Sequence, residues 1–238
     1  MPSFEYYEKG GVKYDRITRV LDYFAPPDLV KWKLKVGTKE AKRIGTIAMK
    51  IGSHIDEAIR SSLGGVVVKL KGADERNCFE AWRRWVDEYR ASGLESAETV
   101  FDDELMMAGT PDLLWPSKKL VIDLKCSREI RPQYWLQTEF YGRLLGYERK
   151  AVLRLDKDLG VYEYEERALD DGVWEAVKGA ISLYRYYQES LNEGKAEDKD
   201  DGDDVTDGKG VGEKGVDESE VSDDRAGRGG EERVLESW

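Results

Sequence analysis

Two aspartates and a lysine lie around one predicted strand pair and are of the types that perform metal-dependent chemistry. A β-hairpin that turns at residues 116–119 folds Asp112 back beside Asp123. Alternation along the second strand then puts Asp123 and Lys125 on one face and Leu124 on the other. Carboxylate oxygens are ligands that divalent cations prefer, and a nearby ammonium can polarise an attacking water or stabilise a phosphorane. The pattern therefore indicates metal-assisted attack on a phosphate.

The Asp-x-Lys triplet alone carries little information, because a chain with 49 acids and 38 bases contains many such triplets by chance. Its context is more informative. Three aliphatic residues, 120–122, precede Asp123, and a charge at the end of a buried strand is costly unless it is paired or binds a cation. The alternative is a solvated hairpin whose acids and lysine pair at the surface.

A predicted helix follows the hairpin, with Pro132 near its start and Gly146 at its end. Gln137 and Tyr141 are four residues apart and therefore share one face of it. An amide and a phenol one turn apart form a polar pair that can hold a phosphate or the edge of a flipped base. The alternative is that Tyr141 simply packs in the core.

The chain has a single histidine, His54, in the middle of a predicted amphipathic helix. Imidazole suits several divalent metals, but a lone histidine also serves in ordinary structural hydrogen bonds. Glu98 is predicted to open the strand before the hairpin and is the other acid that could reach the site. As a residue at a strand edge, it also needs no functional explanation.

Taken in this order, the elements resemble the PD-(D/E)XK nuclease superfamily, and within it the RecB-type and viral exonuclease branch. The resemblance spans roughly residues 16–165. It rests on His54, then Glu98, then Gly109-Thr110-Pro111-Asp112, then Asp123-Leu124-Lys125, and finally Gln137 with Tyr141. Five elements in order are far more specific than any one of them.

The resemblance implies a metal-dependent DNA nuclease with a restriction-endonuclease-like core. The implied ligands of Mg²⁺ or Mn²⁺ are His54, Asp112, Asp123 and the carbonyl of Leu124. Lys125 would orient or activate the water, and Glu98 would support the metal or its waters. Gln137 and Tyr141 would position the DNA strand.

Two features common among relatives are missing from the sequence. Only two cysteines, Cys78 and Cys126, are present, and they cannot supply the four thiolates of an iron–sulfur cluster. The chain also has no Gly-x-x-x-x-Gly-Lys-Ser/Thr run to bind a nucleotide. We therefore expect a nuclease without a cluster and without a motor of its own.

Length and charge divide the chain into two parts. Residues 1–192 suit one catalytic domain, since a body of this size buries a good core. Residues 193–238 are rich in Gly, Asp, Glu, Lys and Ser and are predicted to be a disordered tail. The tail carries 17 acids and 7 bases, which leaves 32 acids and 31 bases in the body. The net charge of −11 is therefore a property of the tail, which could mimic DNA, tune solubility or recruit a protein partner, and the body remains compatible with DNA.

One stretch of the body, residues 31–50, is strongly basic and holds a single acid, Glu40. Cations interleaved with an aromatic ring suit a strand threaded between phosphate contacts and a stacking platform. A solvated helical face is an equally good account of the same pattern. The predicted DNA contacts are Trp32, Lys35, Lys42 and Arg43 in this stretch, and Arg128 and Arg131 just after Lys125.

The periodicities predict an α/β fold with a mixed central sheet, helices on both faces and a helical N-terminal region. Helices are expected at about 17–24, 28–36, 39–62, 74–91, 132–146 and 169–191, and strands at about 98–115 in two pieces, 119–126, 151–156 and 161–166. No apolar run is long enough to span a membrane, and the start of the chain has no apolar signal core, so we expect the cytosol.

The sequence favours a deoxyribonuclease, more specifically an exonuclease of recombination, replication or repair, and leaves open an origin in a virus or mobile element. Two alternatives remain. One is a sequence- or structure-specific endonuclease. The other is a non-catalytic DNA-binding module on the same fold. Polarity, strand preference, the choice of RNA or DNA and oligomeric state are not indicated by any motif.

Overall fold

The computed structural model describes residues 6–24 and 26–200. One compact unit ends at Gln188, and a second unit begins at Glu189. The helices are α1 Ile17–Tyr23, α2 Pro27–Val36, α3 Thr38–Leu63, α4 Ala73–Tyr89, α5 Pro132–Leu145 and α6 Asp171–Asp200. The strands are β1 Tyr6–Lys9, β2 Val12–Arg16, β3 Glu95–Ser96, β4 Val100–Asp102, β5 Met107–Gly109, β6 Leu113–Trp115, β7 Leu120–Lys125, β8 Arg149–Leu155 and β9 Tyr162–Ala168. A 3₁₀ turn, Pro116–Lys118, joins β6 to β7.

The first unit contains two mixed sheets, whereas the sequence predicted a single central sheet. The first has the strand order β1-β2-β5-β4, and the second has the order β3-β6-β7-β8-β9. Each contains one parallel pair, β2 with β5 and β7 with β8, among antiparallel neighbours. The α/β class with mixed sheets and flanking helices is therefore confirmed.

Besides the short strand β3, the sequence analysis missed the N-terminal hairpin β1–β2, since helices were expected from the start of the fold. Gly10 and Gly11, at φ 59° and 79°, form its two-residue turn, because this turn type needs positive φ at both positions. β2 then pairs in parallel with β5, Asp15 opposite Met107. The predicted helical N-terminal region begins only after this hairpin.

The β6–β7 hairpin has the register that places the two candidate acids side by side. Leu113 pairs with Ile122 and Trp115 with Leu120, and one further step along this register brings Asp112 opposite Asp123. The region 98–115, predicted as two strand pieces, forms three strands, and the last two are separated by a break at 110–112. Asp112 consequently lies in the break just before β6 rather than inside a strand.

Helices cover both faces of the second sheet. Leu120, Ile122 and Leu124 pack with the buried residues of α3 and α4, among them Ile55, Ile59, Trp82 and Trp85. Val121, on the opposite face, packs with buried residues of α1, α5 and α6, among them Ile17, Phe140 and Ile181. The alternation along β7 therefore turns Asp123 and Lys125 towards the α1–α5 side.

The last helix extends further than predicted. α6 continues to Asp200, so residues 193–200, which the sequence analysis assigned to the tail, are helical. The remainder of the predicted tail, 201–238, lies outside the described residues. None of the described helices combines the length and apolarity needed to cross a membrane.

Candidate functional site

Asp112, Asp123 and Lys125 come together at the open end of the β6–β7 hairpin. The Oδ2 of Asp112 accepts a 2.7 Å hydrogen bond from the backbone N–H of Leu124. Lys125 Nζ lies 2.6 Å from Asp123 Oδ2, with the side chain of Asp123 fully buried and that of Lys125 21% exposed. These three side chains are called the acid–lysine centre.

Burial destabilises the ionised forms of the two carboxylates of the acid–lysine centre. Burial, followed by the negative charge of Asp123, raises the pKa of Asp112 to about 6. Burial also raises the pKa of Asp123, although Lys125 opposes the shift. Burial alone would lower the pKa of Lys125, but the charges of Asp123 and Asp112 outweigh it and raise that pKa. Lys125 is therefore an ammonium at neutral pH.

The acid–lysine centre fits a divalent cation. No hydrogen-bond donor among the described residues reaches the buried Oδ1 of Asp123, and the carboxyl groups of Asp112 and Asp123 face each other. A cation between them would satisfy the orphaned oxygen and remove the repulsion. Within residues 6–24 and 26–191, no three or more His, Cys, Asp or Glu side chains are arranged to hold one ion. Two carboxylates are nevertheless a usual protein contribution to Mg²⁺, which keeps several of its waters.

His54 is held by an acid from another helix. Its Nδ1 lies 2.8 Å from Oε2 of Glu75 in α4, and both side chains are largely buried. Glu75 Oε2 also accepts a hydrogen bond from the backbone N–H of Lys71. Burial raises the pKa of Glu75, but the Lys71 and His54 contacts outweigh it and lower that pKa. His54 lines a cavity of about 1220 Å³ together with Asp112, and its role as a metal ligand stays a prediction.

Asp56 is the α3 residue that lies beside the acid–lysine centre, and the sequence analysis missed it. It lines a cavity of about 460 Å³ with Asp112 and Lys125, called here the acid cavity. Burial, followed by the charge of Asp112, raises the pKa of Asp56. The one sequence signal that could have found it is Arg60, four residues on, whose Nε lies 3.0 Å from Asp56 Oδ1.

The predicted polar pair on α5 is present. Gln137 Nε2 donates a 3.3 Å hydrogen bond to the hydroxyl oxygen of Tyr141. Burial, together with the charges of Asp112 and Asp123, raises the pKa of Tyr141 well above its usual value. The phenol is therefore protonated, and its O–H is available to a further acceptor beside the acids. Tyr141 is also only 2% exposed and belongs to the core cluster with Phe140. Its ring therefore packs in the core, and its hydroxyl serves as the polar group.

Gly109 leaves the space that Tyr141 occupies. A Cβ added at this position would lie 2.7 Å from Tyr141 Cε1 and 2.8 Å from its hydroxyl. Distances this short force the ring to move. The glycine of the Gly-x-x-Asp element is therefore explained by the close approach of α5 to β5.

Gly109→Ala is accordingly expected to displace Tyr141 and to destabilise the protein by about 1–3 kcal/mol. Denaturant unfolding measures the stability, and the rate of DNA cleavage by the folded variant reports the effect of displacing Tyr141. Gly179→Ala is the matched control, because an added Cβ meets nothing within 4 Å there and alanine is favoured in a helix. Equal stability and equal activity of the two variants would contradict this account of Gly109.

A cavity of about 750 Å³, called the basic cavity, adjoins the site on the Lys125 side. Two of the predicted DNA contacts, Lys42 and Arg131, line it. Lys33 and Tyr134, which the sequence analysis did not name, line it as well, and Lys125 Nζ lies 4.9 Å from the centre of the Tyr134 ring. Positive charge and an aromatic surface are thus placed next to the acid–lysine centre.

The other predicted DNA contacts are spread over the neighbouring surface. Arg43 is exposed and donates from Nε to Glu40 Oε2 at 2.8 Å. Trp32 is half-buried, and Lys35 and Arg128 are exposed. Their DNA contacts stay predictions.

Glu98 lies between β3 and β4 and is exposed. The expectation that it opens a strand is wrong, because β4 begins at Val100. Its neighbour Thr99 hydrogen-bonds Thr110 at 2.8 Å, which ties this connection to the break that carries Asp112. The predicted role of Glu98, to support the metal or its waters, stays a prediction.

Comparison with known proteins finds similarity in structure only. No protein-family model matches the chain, and no curated protein matches it. The fold is similar to an alkaline exonuclease, LHK-Exo, from Laribacter hongkongensis, at 15% identity and a TM-score of 0.46 over 79% of this chain and 93% of that one. It is also similar to a phage-related exonuclease from Haemophilus somnus 129PT, at 16% identity and a TM-score of 0.38 over 60% of this chain and 82% of that one. A third similar structure is SSO0001, at 14% identity and a TM-score of 0.41 over 74% and 78% of the two chains. With TM-scores below 0.5, the function of this chain has to be inferred from its own site.

Proposed function

We propose that this protein is a divalent-metal-dependent nuclease that hydrolyses phosphodiester bonds in DNA, and that it acts as an exonuclease in recombination, replication or repair. The observation that carries the proposal is the convergence of Asp112, Asp123 and Lys125, in which a buried carboxylate oxygen has no donor. Such an arrangement is costly for a purely structural hairpin. The same arrangement is suited to binding a divalent cation together with a phosphate group of DNA.

Asp112 and Asp123 would hold Mg²⁺ or Mn²⁺, with the Leu124 carbonyl as a further proposed ligand. When bound, the cation supplies a water of lowered pKa and an electrophile for the phosphate oxygens. Lys125 retains its proton, because the neighbouring carboxylates raise its pKa. Its ammonium would orient the attacking water and stabilise the negative charge that develops on the phosphate.

The DNA strand would bind along the basic cavity and α5. Lys33, Lys42 and Arg131 supply positive charge for the phosphates, and Tyr134 supplies a face on which a base can stack. The protonated phenol of Tyr141, oriented by Gln137, would donate a hydrogen bond to the strand close to the acids.

The decisive experiment is digestion of end-labelled single- and double-stranded DNA, with closed circular DNA alongside, in Mg²⁺, Mn²⁺ or EDTA. We expect linear substrates to be shortened from an end only when a cation is present, and circles to stay intact. Cleavage of circles as fast as linear DNA would establish an endonuclease instead. DNA binding without cleavage under all conditions would establish the non-catalytic module and refute the proposed function.

A further inference from the structure

The two candidate residues of α3, His54 and Asp56, point to different flanks of the helix. The buried side of α3 includes Ile55, Ala58 and Ile59. At about 100° per residue, His54 and Asp56 lie on opposite sides of Ile55, roughly 200° apart. His54 meets Glu75 of α4, whereas Asp56 meets the end of the hairpin that carries the acids.

Asp56 is joined to the Asp112 segment by an arginine. Arg60 Nε lies 3.0 Å from Asp56 Oδ1, and Arg60 Nη2 donates a 3.5 Å hydrogen bond to the carbonyl oxygen of Pro111. Pro111 is the residue immediately before Asp112. The arginine therefore fixes both the carboxylate of Asp56 and the backbone beside Asp112 in one arrangement.

Asp56 also faces the same open space as the acid–lysine centre. It lines the acid cavity with Asp112 and Lys125, and it also lines the cavity of about 1220 Å³ together with Asp112 and His54. About 28% of its side chain is exposed, so water and an ion can reach it. The buried Oδ1 of Asp123 has no hydrogen-bond donor within the described part of the chain, and, in addition to burial, the charge of Asp56 is close enough to raise the pKa of Asp123 further.

We propose that Asp56 is the third carboxylate of the cation centre and that Arg60 is the residue that positions it. Asp112 and Asp123 bind the cation directly, and Asp56 accepts hydrogen bonds from the waters that the cation retains. His54 is engaged by Glu75 of α4. This proposal rests on the proposed function and specifies which residue of α3 serves the metal.

The test is a calorimetric titration of the full chain with Mn²⁺, comparing Asp56→Asn, Arg60→Gln, His54→Gln and Glu80→Gln with the wild type. We expect Asp56→Asn to weaken Mn²⁺ binding by about 10-fold or more, since hydrogen-bonding partners around a metal typically contribute 10- to 100-fold. Arg60→Gln should weaken binding in the same direction. Glu80→Gln is the matched control, because it removes the same charge from another carboxylate–arginine pair four residues apart, Glu80 with Arg84 on α4, outside both cavities.

The outcomes separate this proposal from the proposed function. Wild-type affinity in Asp56→Asn, or a larger loss in His54→Gln than in Asp56→Asn, would overturn the role of Asp56 while leaving a metal-dependent nuclease intact. No Mn²⁺ binding by the wild type would overturn both. Circular dichroism and thermal unfolding establish that each variant is folded. If Asp56→Asn does not fold, Arg60→Gln carries the test, and unchanged Mn²⁺ affinity in it refutes the proposal.

Discussion

Lys125→Ala is expected to reduce Mg²⁺-dependent DNA cleavage by about 10³-fold while leaving the fold intact. The ammonium lies 2.6 Å from Asp123 Oδ2, and it is the only side chain of the acid–lysine centre that can offer positive charge to a phosphate. Removing one preorganised group that stabilises developing charge typically costs 10²- to 10³-fold. Single-turnover cleavage of labelled DNA measures the loss without interference from product release.

Lys119→Ala is the matched control for this variant. Lys119 precedes the same strand, but its exposed side chain pairs with Glu148 at the far end of the hairpin. The Lys119→Ala variant should therefore cleave DNA at the wild-type rate. Asp123→Ala is expected to be as inactive as Lys125→Ala. Full activity in either of these variants would contradict the roles proposed for the acid–lysine centre.

Glu139→Gln is expected to destabilise the fold by about 3–5 kcal/mol, the largest stability effect anticipated for a single substitution here. Glu139 and Lys150 are both buried, and Lys150 Nζ donates to Glu139 Oε2 at 2.5 Å. Glu139 also accepts hydrogen bonds from Arg143 Nε at 2.9 Å and from the backbone N–H of Asp170. The substitution leaves the ammonium of Lys150 buried without a countercharge, and such an uncompensated charge is strongly destabilising.

Urea unfolding followed by tryptophan fluorescence measures the change. Glu148→Gln is the control, because Glu148 forms an exposed pair with Lys119, and exposed pairs contribute less than about 1 kcal/mol. Replacing both partners, Glu139→Leu with Lys150→Met, should recover much of the lost stability, since no unpaired charge remains. A Glu139→Gln variant as stable as Glu148→Gln would show that water reaches Lys150.

Local patterns in the sequence were sufficient for the elements that carry the acid–lysine centre. The alternation along β7 correctly predicted that Asp123 and Lys125 share a face, because side chains alternate in any strand. The bounds of α5 followed from Pro132 in its first turn and from Gly146, whose φ of 63° closes the helix. Both signals depend only on neighbouring residues.

The residues that complete the site were decided by contacts between distant segments. No periodicity indicates that α3 presents Asp56 to the hairpin and His54 to Glu75, because both positions flank the same buried side of the helix. Likewise, Cys78 and Cys126 are far apart in sequence, yet a hydrogen bond between their side chains, together with burial, raises the pKa of Cys78.

The pairing of β2 with β5 was equally invisible in the sequence, since it joins Asp15 to Met107. By itself, then, the sequence determined the acids, the lysine and the hairpin that joins them, because local backbone geometry fixes these relations. Only the tertiary structure decided which helix residues face that hairpin, because the rotation of a helix on a sheet is set by the packing of its whole buried face.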